Sequence, residues 1–349
     1  MNKPEAQRPR TRRAGSGLPG RIALAALSVL LGLGVLEVGL RAFYWSWLFA
    51  WPNFVLEARK TLGESDGGRY LHDARLGYVP RDGLRGNGAA PAGAGAPILA
   101  VGDSFTYGDE VGDGETWPAE LQRLTGRPVL NAGVSGYGFD QIVLRAEALA
   151  PVYRPGAIVV AFIADDIRRT EMRRLWSADK PWFDPVAEKL ELRGVPVPPR
   201  APAAETLSFW QRTLGYSFLV DFVLRRLDLL HDWYGDHLRG HPRGMGERIA
   251  CRLTARLAEL QKTGAAPVLV VAEYDPVVWD DPAFAAEQRR LTAGLLACAQ
   301  KNGLATLDTW DALAATGEPR KLYVQWHMSG AGNALVAKAI AGALGPKRN

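Results

Sequence analysis

The sequence predicts an α/β domain with a central parallel sheet covered by helices on both faces, preceded by one apolar N-terminal helix. From about residue 97 onward, short apolar runs alternate with longer segments of helical spacing, and strands that alternate with helices pair in parallel. The short runs are apolar throughout rather than at every second position, which is typical of strands buried on both faces. A chain of 349 residues is long enough for one large or two ordinary domains.

The N-terminal segment is expected to cross a membrane once. Residues 1–21 form a basic tail, and residues 22–36 are apolar except for Ser28. A helix over 22–44 would rise ~34 Å, enough to cross a hydrocarbon core of ~30 Å. The arginines before it favour a cytoplasmic tail, and the aromatic residues after it favour the opposite interface. We therefore expect a single-pass protein of the inner membrane, with its C-terminal domain on the periplasmic, extracytoplasmic side.

A cleaved signal peptide is the alternative interpretation. It needs small residues at a cleavage site soon after the apolar run, where this sequence has Glu37, Arg41 and bulky aromatic residues. Glu37 and Arg41 are four residues apart and can pair on one helix face; we interpret Glu37 as a charge near the interface rather than a contact with a membrane partner. Residues 45–96 are predicted to be a juxtamembrane segment and linker, with a flexible Gly/Ala-rich stretch at 83–96.

The positive charge of the chain lies in its tail. The formal net charge is +5, and residues 1–21 carry six basic residues and one acidic residue. The remainder is therefore neutral, and it gives no reason to propose a nucleic-acid partner. Cys251 and Cys298 are the two cysteines, too few for a cysteine zinc site or a disulfide framework. They are either one disulfide in an oxidising compartment or two small apolar residues on helix faces.

The domain is expected to span residues 97–345, with an insertion at 171–245. Its predicted strands are residues 97–102, 128–130, 157–163, 267–272 and 304–307. Its predicted helices are residues 117–124, 139–149, 247–263, 282–302 and 330–344. The insertion is rich in tryptophan and proline, and it is interpreted either as a lid over the strand ends or as an edge subdomain that only packs.

The insertion also contains three histidines. His231, His237 and His241 lie near two aspartates, which raises the question of a metal site. Their spacing does not give one helical face and glycines interrupt it, so we interpret the segment as a polar surface turn and expect no metal.

Chemically useful residues follow the predicted strands. Ser104 follows the first strand, a glycine-rich loop containing Asn131 and Gly136 follows the second, and Asp165 follows the third. His327 stands just before the last helix. Because the carboxyl ends of parallel strands meet at one edge, these groups are expected to lie together. A serine, a loop of backbone N–H donors and a histidine can act as nucleophile, oxyanion hole and base.

With these motifs in this order, residues 95–345 resemble the SGNH (GDSL-type) hydrolase superfamily, and the N-terminal helix resembles that of its membrane-anchored members. The resemblance implies a three-layer, flavodoxin-like sandwich that needs no organic cofactor or metal. It implies that Ser104 is the nucleophile and His327 the base. It also implies that the backbone N–H groups of Ser104 and Gly136 belong to the oxyanion hole, with a third contribution from the position of Asp165.

Two positions depart from the pattern of that superfamily. Asp165 stands where the superfamily has an oxyanion-binding asparagine, and a carboxylate there is repulsive unless it is protonated, turned away or bridged by water. Val324 stands where the superfamily has an acid three residues before the histidine. The orienting group for His327 is then a backbone carbonyl, the amide of Gln325, or an acid from elsewhere such as Asp308.

By analogy with the superfamily, the expected function is a serine esterase that acts on an O-acyl ester of a cell-envelope glycan or lipid. One alternative is an O-acyltransferase that uses the same serine. Another is an inactive protein that binds a glycan or a partner, for which Asp165 and Val324 are the evidence.

Overall fold

The computed structural model describes residues 18–44, 51–59, 68–88, 95–200, 206–264 and 266–345. The chain divides into two units. The smaller unit consists of Met1–Glu57 and Leu207–Trp233, and the larger unit consists of Ala58–Thr206 and Tyr234–Asn349.

The strands lie in the larger unit. In chain order they are β1 (Tyr70–Asp73), β2 (Gly77–Pro80), β3 (Ile98–Val101), β4 (Val129–Asn131), β5 (Ala157–Phe162), β6 (Met172–Leu175), β7 (Ala178–Asp179), β8 (Trp182–Val186), β9 (Lys189–Arg193), β10 (Leu238–Arg239), β11 (Val268–Ala272) and β12 (Ala305–Asp308).

Helices precede, separate and follow these strands. The α-helices are α1 (Leu18–Phe43), α2 (Phe54–Ala58), α3 (Ser104–Tyr107), α4 (Trp117–Thr125), α5 (Phe139–Tyr153), α6 (Ala164–Arg169), α7 (Phe209–Leu214), α8 (Phe218–Arg226), α9 (Leu230–Tyr234), α10 (Met245–Gly264), α11 (Pro282–Lys301), α12 (Trp310–Ala314) and α13 (Gly330–Leu344). Short 3₁₀ helices cover Asp113–Glu115, Pro276–Trp279 and Pro319–Leu322.

The centre of the larger unit is a five-stranded parallel sheet in the order β12-β11-β5-β3-β4. Successive side chains of β3 alternate between two hydrophobic cores: Leu99 packs with α5, α10 and part of α11, whereas Ile98 packs with α4 and α13. The predicted three-layer α/β fold is therefore confirmed. Each predicted strand and helix of the domain is present with its ends shifted by a few residues at most.

The predicted linker differs from what is observed. Within residues 45–96, β1 and β2 form an antiparallel hairpin that pairs Tyr70 with Pro80. The Tyr78 ring lies between those of Tyr70 and Tyr137, at centroid distances of 5.3 and 5.4 Å, and Tyr78 Oη donates to the carbonyl of Ser135. The hairpin is therefore part of the body of the larger unit, because its aromatic side chains are buried there. Residues 89–94 of the predicted flexible stretch lie outside the described residues.

The insertion is divided between the two units. Strands β10, β6 and β7 form a small antiparallel sheet, β8 and β9 form a hairpin, and residues 207–233 belong to the smaller unit. Of its predicted surface histidines, His241 donates from Nε2 to the carbonyl of Phe183 at 2.9 Å, and His237 pairs with Asp236.

Helix α1 has 26 residues and a mean hydropathy of 2.2, so its length and composition suit a membrane span or a signal anchor. Near its C-terminal end, Glu37 and Arg41 form the predicted i,i+4 ion pair, with Nε and Oε1 2.7 Å apart. Within this unit Arg41 is fully buried and lies over the ring of Trp51.

A disulfide joins two long helices of the larger unit. Cys251 of α10 and Cys298 of α11 are bonded, at a sequence separation of 47. The alternative left open by the sequence, two separate apolar residues, is thereby excluded.

Candidate active site

Ser104 begins helix α3 directly after the central strand β3. The carboxylate of Asp103 caps that helix by accepting the Phe105 N–H at 2.9 Å, so the turn from strand to helix is fixed by the residue before the serine. The Ser104 side chain is largely buried, with its Oγ 2.9 Å from Nε2 of His327. The structure thus brings the first and last predicted motifs within hydrogen-bond distance across 223 residues of sequence.

His327 lies in a tight turn just before α13. Val324 donates its N–H to the His327 carbonyl at 3.0 Å, and the imidazole packs against the ring of Phe105 with centroids 5.2 Å apart. The ring is therefore positioned by the turn behind it and by the helix that carries the serine.

Glu110 lies on the other side of the imidazole. Its Oε1 is 3.3 Å from Nδ1 of His327, and its carboxylate accepts the backbone N–H groups of Gln325, Trp326 and His327 at 2.9 to 3.2 Å. Desolvation raises the pKa of Glu110, but these donors and the imidazole outweigh it, so the pKa lies below its usual 4.5. The group facing Nδ1 is consequently a carboxylate in its ionised form.

Of the orienting groups left open by the sequence, an acid from elsewhere in the chain lies beside Nδ1, and it is Glu110 rather than Asp308. Asp308 instead accepts the Tyr274 hydroxyl and the Trp310 N–H, each at 2.9 Å, and the Gln325 backbone N–H donates to Glu110. The sequence signal for Glu110 was its position in the loop after β3 and α3, at the edge of the sheet where the other site residues lie.

The glycine-rich loop after β4 packs directly on the serine helix. A Cβ at Gly133 would lie 2.2 Å from the Tyr107 nitrogen, and one at Gly136 would lie 2.6 Å from the Trp176 ring. Gly136 also has a φ of +81°, which favours glycine. Within the described part of the chain, the N–H groups of Ser104 and Gly136 have no acceptor, as an oxyanion hole requires.

Asp165, the third residue assigned to the oxyanion hole from the sequence, has a cationic partner on its own helix. Its carboxylate pairs with Arg168 one turn further along α6, at 2.5 Å, and is half exposed. Among the described residues it forms no hydrogen bond or ion pair with Ser104 or His327. A guanidinium on the same helix is a better partner for a carboxylate than an oxyanion is, so Arg168 compensates the charge of Asp165.

Arg169 of α6 is largely buried and lies near Asp103, the residue before the serine. Its guanidinium bonds Asp166 at 2.6 Å, lies 3.6 Å from Asp103 and donates to the Tyr137 carbonyl. Burial raises the pKa of both carboxyls, and Arg169 limits the rise. The Arg169 guanidinium therefore contacts Asp103 next to the serine, Asp166 on α6 and the backbone of Tyr137 in the glycine-rich loop.

Glu273 follows β11 at the same edge of the sheet and is also buried. Neither of its carboxyl oxygens has a hydrogen-bond partner in the described structure. Desolvation, reinforced by the nearby Asp103, raises its pKa well above 4.5. The raised pKa favours the protonated, neutral form of Glu273 behind the serine turn.

Comparison with known proteins agrees with this geometry. A model of the GDSL-like lipase/acylhydrolase family matches residues 100–335, which is about two thirds of the chain. No curated protein matches it.

Solved structures give weaker likenesses. The chain is similar to LAE5, an α/β hydrolase enzyme from the metagenome of Lake Arreo, Spain, at 15% identity and a TM-score of 0.45, with 72% of this chain and 96% of that one covered. It is also similar to Axe2, an acetylxylan esterase from Geobacillus stearothermophilus, at 14% identity and a TM-score of 0.43, with 74% and 100% covered. The family match carries the assignment: the chain belongs to the GDSL-like lipase/acylhydrolase family of SGNH hydrolases, whose members hydrolyse acyl esters.

Proposed function

We propose that this protein is a membrane-anchored, extracytoplasmic serine esterase in which Ser104, His327 and Glu110 act as one unit. The observation that carries the proposal is the chain of contacts from Glu110 to Nδ1 of His327 at 3.3 Å and from Nε2 to Ser104 Oγ at 2.9 Å. A base that touches the nucleophile and is itself faced by a carboxylate is the arrangement that activates a serine.

In the first half of the reaction, Ser104 Oγ attacks the ester carbonyl carbon while Nε2 of His327 takes the hydroxyl proton. Glu110 stabilises the imidazolium that forms, and the N–H groups of Ser104 and Gly136 stabilise the tetrahedral oxyanion. The C–O bond to the alcohol then breaks, and Nε2 returns the proton to the leaving alkoxide.

In the second half, Nε2 takes a proton from water, whose oxygen attacks the acyl–serine carbonyl. The carboxylic acid leaves and Ser104 regains its proton. If a sugar hydroxyl replaces water at this stage, the same residues perform acyl transfer.

The location is supported by three features. Helix α1 has the length of a membrane span, the tail before it is basic, and the Cys251–Cys298 disulfide suits an oxidising compartment. An extracytoplasmic esterase meets O-acyl esters of envelope glycans and lipids, which we propose as its substrate class.

Labelling with a fluorophosphonate probe tests the mechanism. The full-length protein should be labelled, and Ser104→Ala should abolish labelling. Ser208→Ala, which removes a helix-capping hydroxyl in the smaller unit, serves as the matched control and should leave labelling intact. Labelling that persists in Ser104→Ala would remove Ser104 from the mechanism, and a folded wild-type protein without labelling would favour a binding function.

A further inference from the structure

The end of α1 is fixed to helix α8 by one carboxylate. Glu37 accepts the N–H groups of Phe218 and Leu219 at 2.8 and 2.7 Å and the Ser217 hydroxyl at 2.9 Å. Arg41 also donates to the Glu37 carboxylate, and it donates to the carbonyl of Tyr216 as well. Every one of these contacts lies within the smaller unit. The first turn of α8 must therefore lie at the same level as residues 37–41 of α1.

The depth of residues 37–41 in the membrane follows from the length of α1. From Arg21 to Arg41 a helix rises ~30 Å, which is the thickness of a hydrocarbon core. Glu37 lies one helical turn before Arg41, on the side towards the membrane centre. The first turn of α8, which is bonded to Glu37, therefore reaches the outer edge of the hydrocarbon layer. Lipid offers no hydrogen bonds to the N–H groups of a helix N-terminus, and Glu37 supplies the acceptors that these groups need.

The helices held at this level expose large apolar side chains. Phe209 and Trp210 of α7 are 69% and 61% exposed, and Leu227 after α8 is 60% exposed. Tyr216, between the helices, is 46% exposed, and the rings of Phe209 and Trp210 contact each other edge to face. Tryptophan and tyrosine are enriched at the membrane interface, and clustered exposed apolar side chains mark an interaction surface. Arg212 and Arg226 lie among them, as in helices that rest on anionic bilayers.

We infer that α7 and α8 form a second membrane contact, lying in the headgroup region of the outer leaflet with Phe209, Trp210, Tyr216 and Leu227 directed into the lipid. This inference rests on the proposed membrane anchoring by α1. The occupant of the surface is the bilayer that α1 crosses, because Glu37 and Arg41 join the surface to the end of that helix. Residues 207–233 are thus a platform that rests on the membrane.

Spin labels at single cysteines test this directly. Cys251 and Cys298 are bonded to each other, so the protein has no free thiol, and the full-length chain can carry one introduced cysteine. Trp210→Cys and Leu227→Cys are labelled with a nitroxide and reconstituted into vesicles of phosphatidylcholine and phosphatidylglycerol. A nitroxide in lipid is readily reached by oxygen, whereas a nitroxide in water is readily reached by a water-soluble nickel complex. Leu30→Cys on α1 is the lipid reference, and Glu188→Cys, whose native side chain is 97% exposed, is the water reference.

The expected result is that labels at 210 and 227 resemble the Leu30→Cys label, with an oxygen-to-nickel ratio several-fold above that at position 188. A water-like label at position 30 would contradict the anchoring itself. Lipid-like behaviour at 30 combined with water-like behaviour at 210 and 227 would overturn the platform alone. Protection from both reagents would show that protein covers the surface, which also overturns it. Fluorophosphonate labelling of each variant checks that it is folded.

Discussion

At the scale of single residues, Glu110 combines a structural role with a proposed chemical role. Its φ of +71° lies in the left-handed region, which costs about 1–2 kcal/mol for a residue with a Cβ. The conformation persists because the carboxylate accepts three consecutive N–H groups of the turn that carries His327. The acid that shapes the turn is thus also the acid that faces the imidazole, and one side chain sets both the position and the electrostatics of the base.

Glu110→Gln tests this pairing. Removing the charge while keeping the shape should lower kcat/KM for an acyl ester roughly 10²–10⁴-fold, the range seen when an orienting carboxylate is neutralised. Glu318→Gln, which alters an exposed glutamate bonded to Lys321, is the matched control and should leave kcat/KM unchanged. Equal activity of Glu110→Gln and wild type would show that Glu110 only shapes the turn.

Glu110 also has a predictable effect on stability at low pH. Because its folded pKa lies below the usual 4.5, the carboxylate stabilises the fold above pH 4.5, and this contribution is lost as the pH falls through the folded pKa. The difference in free energy of unfolding between wild type and Glu110→Gln should therefore be constant near neutrality and shrink only below pH 4.5. Denaturant unfolding at several pH values measures it, and a difference that already shrinks above pH 6 contradicts the lowered pKa.

Glu273 should have the opposite pH dependence. Its folded pKa is raised, so between pH 4.5 and that pKa the folded state binds more protons than the unfolded state and stability falls as pH rises, by up to about 1.4 kcal/mol per pH unit. Glu273→Gln keeps a neutral side chain of similar size and removes this slope. The variant should gain stability relative to wild type as the pH rises from 4.5 towards the raised pKa of the folded protein. Parallel stability curves would mean that folding does not raise the pKa of Glu273.

At the scale of elements, the sequence predicted the parallel sheet well because each core strand is a continuous apolar run. The hairpin β1–β2 was missed because its strands contain His72 and Asp73 and become buried only through packing of Tyr70 and Tyr78 near the glycine-rich loop. Glu110 was missed for a similar reason, since 217 residues separate it from His327. Local sequence patterns predict secondary-structure elements and the motifs at strand ends. Residues that come into contact only in the folded structure cannot be paired from such patterns.

The disulfide provides a prediction at this scale. It links α10 to α11 across 47 residues, and closing a loop of this length stabilises a fold by about 2–4 kcal/mol. The Cys251→Ser/Cys298→Ser double variant should lose roughly that free energy of unfolding, as measured by denaturant titration. Reductant should destabilise the wild type but leave the double variant unaffected. A wild type insensitive to reductant under unfolding conditions would argue against the bond.

At the scale of the whole molecule, the proposed topology assigns each segment a compartment. In this proposal the basic tail is cytoplasmic, α1 is in the membrane, and the disulfide-bonded larger unit is extracytoplasmic. Only this orientation places the basic residues on the inner side and the paired cysteines in an oxidising space.

A reporter fused after Trp51 tests the topology. An alkaline phosphatase fusion should be active and a cytoplasmic reporter such as β-galactosidase inactive, while the full-length protein should stay in the membrane fraction after a carbonate wash. Release by the wash would indicate cleavage or peripheral attachment, and the reverse reporter pattern would invert the orientation.

The β1–β2 hairpin, which carries Tyr70 and Tyr78, has a practical consequence for the preparation of a soluble form of the enzyme. A recombinant chain trimmed to start at Pro97 would lose the aromatic partner of Tyr137 and leave the loop that carries Gly136 unsupported. A chain that starts at Gly68 keeps the hairpin and its contact with Tyr137. Export to an oxidising compartment would allow the Cys251–Cys298 disulfide to form during production.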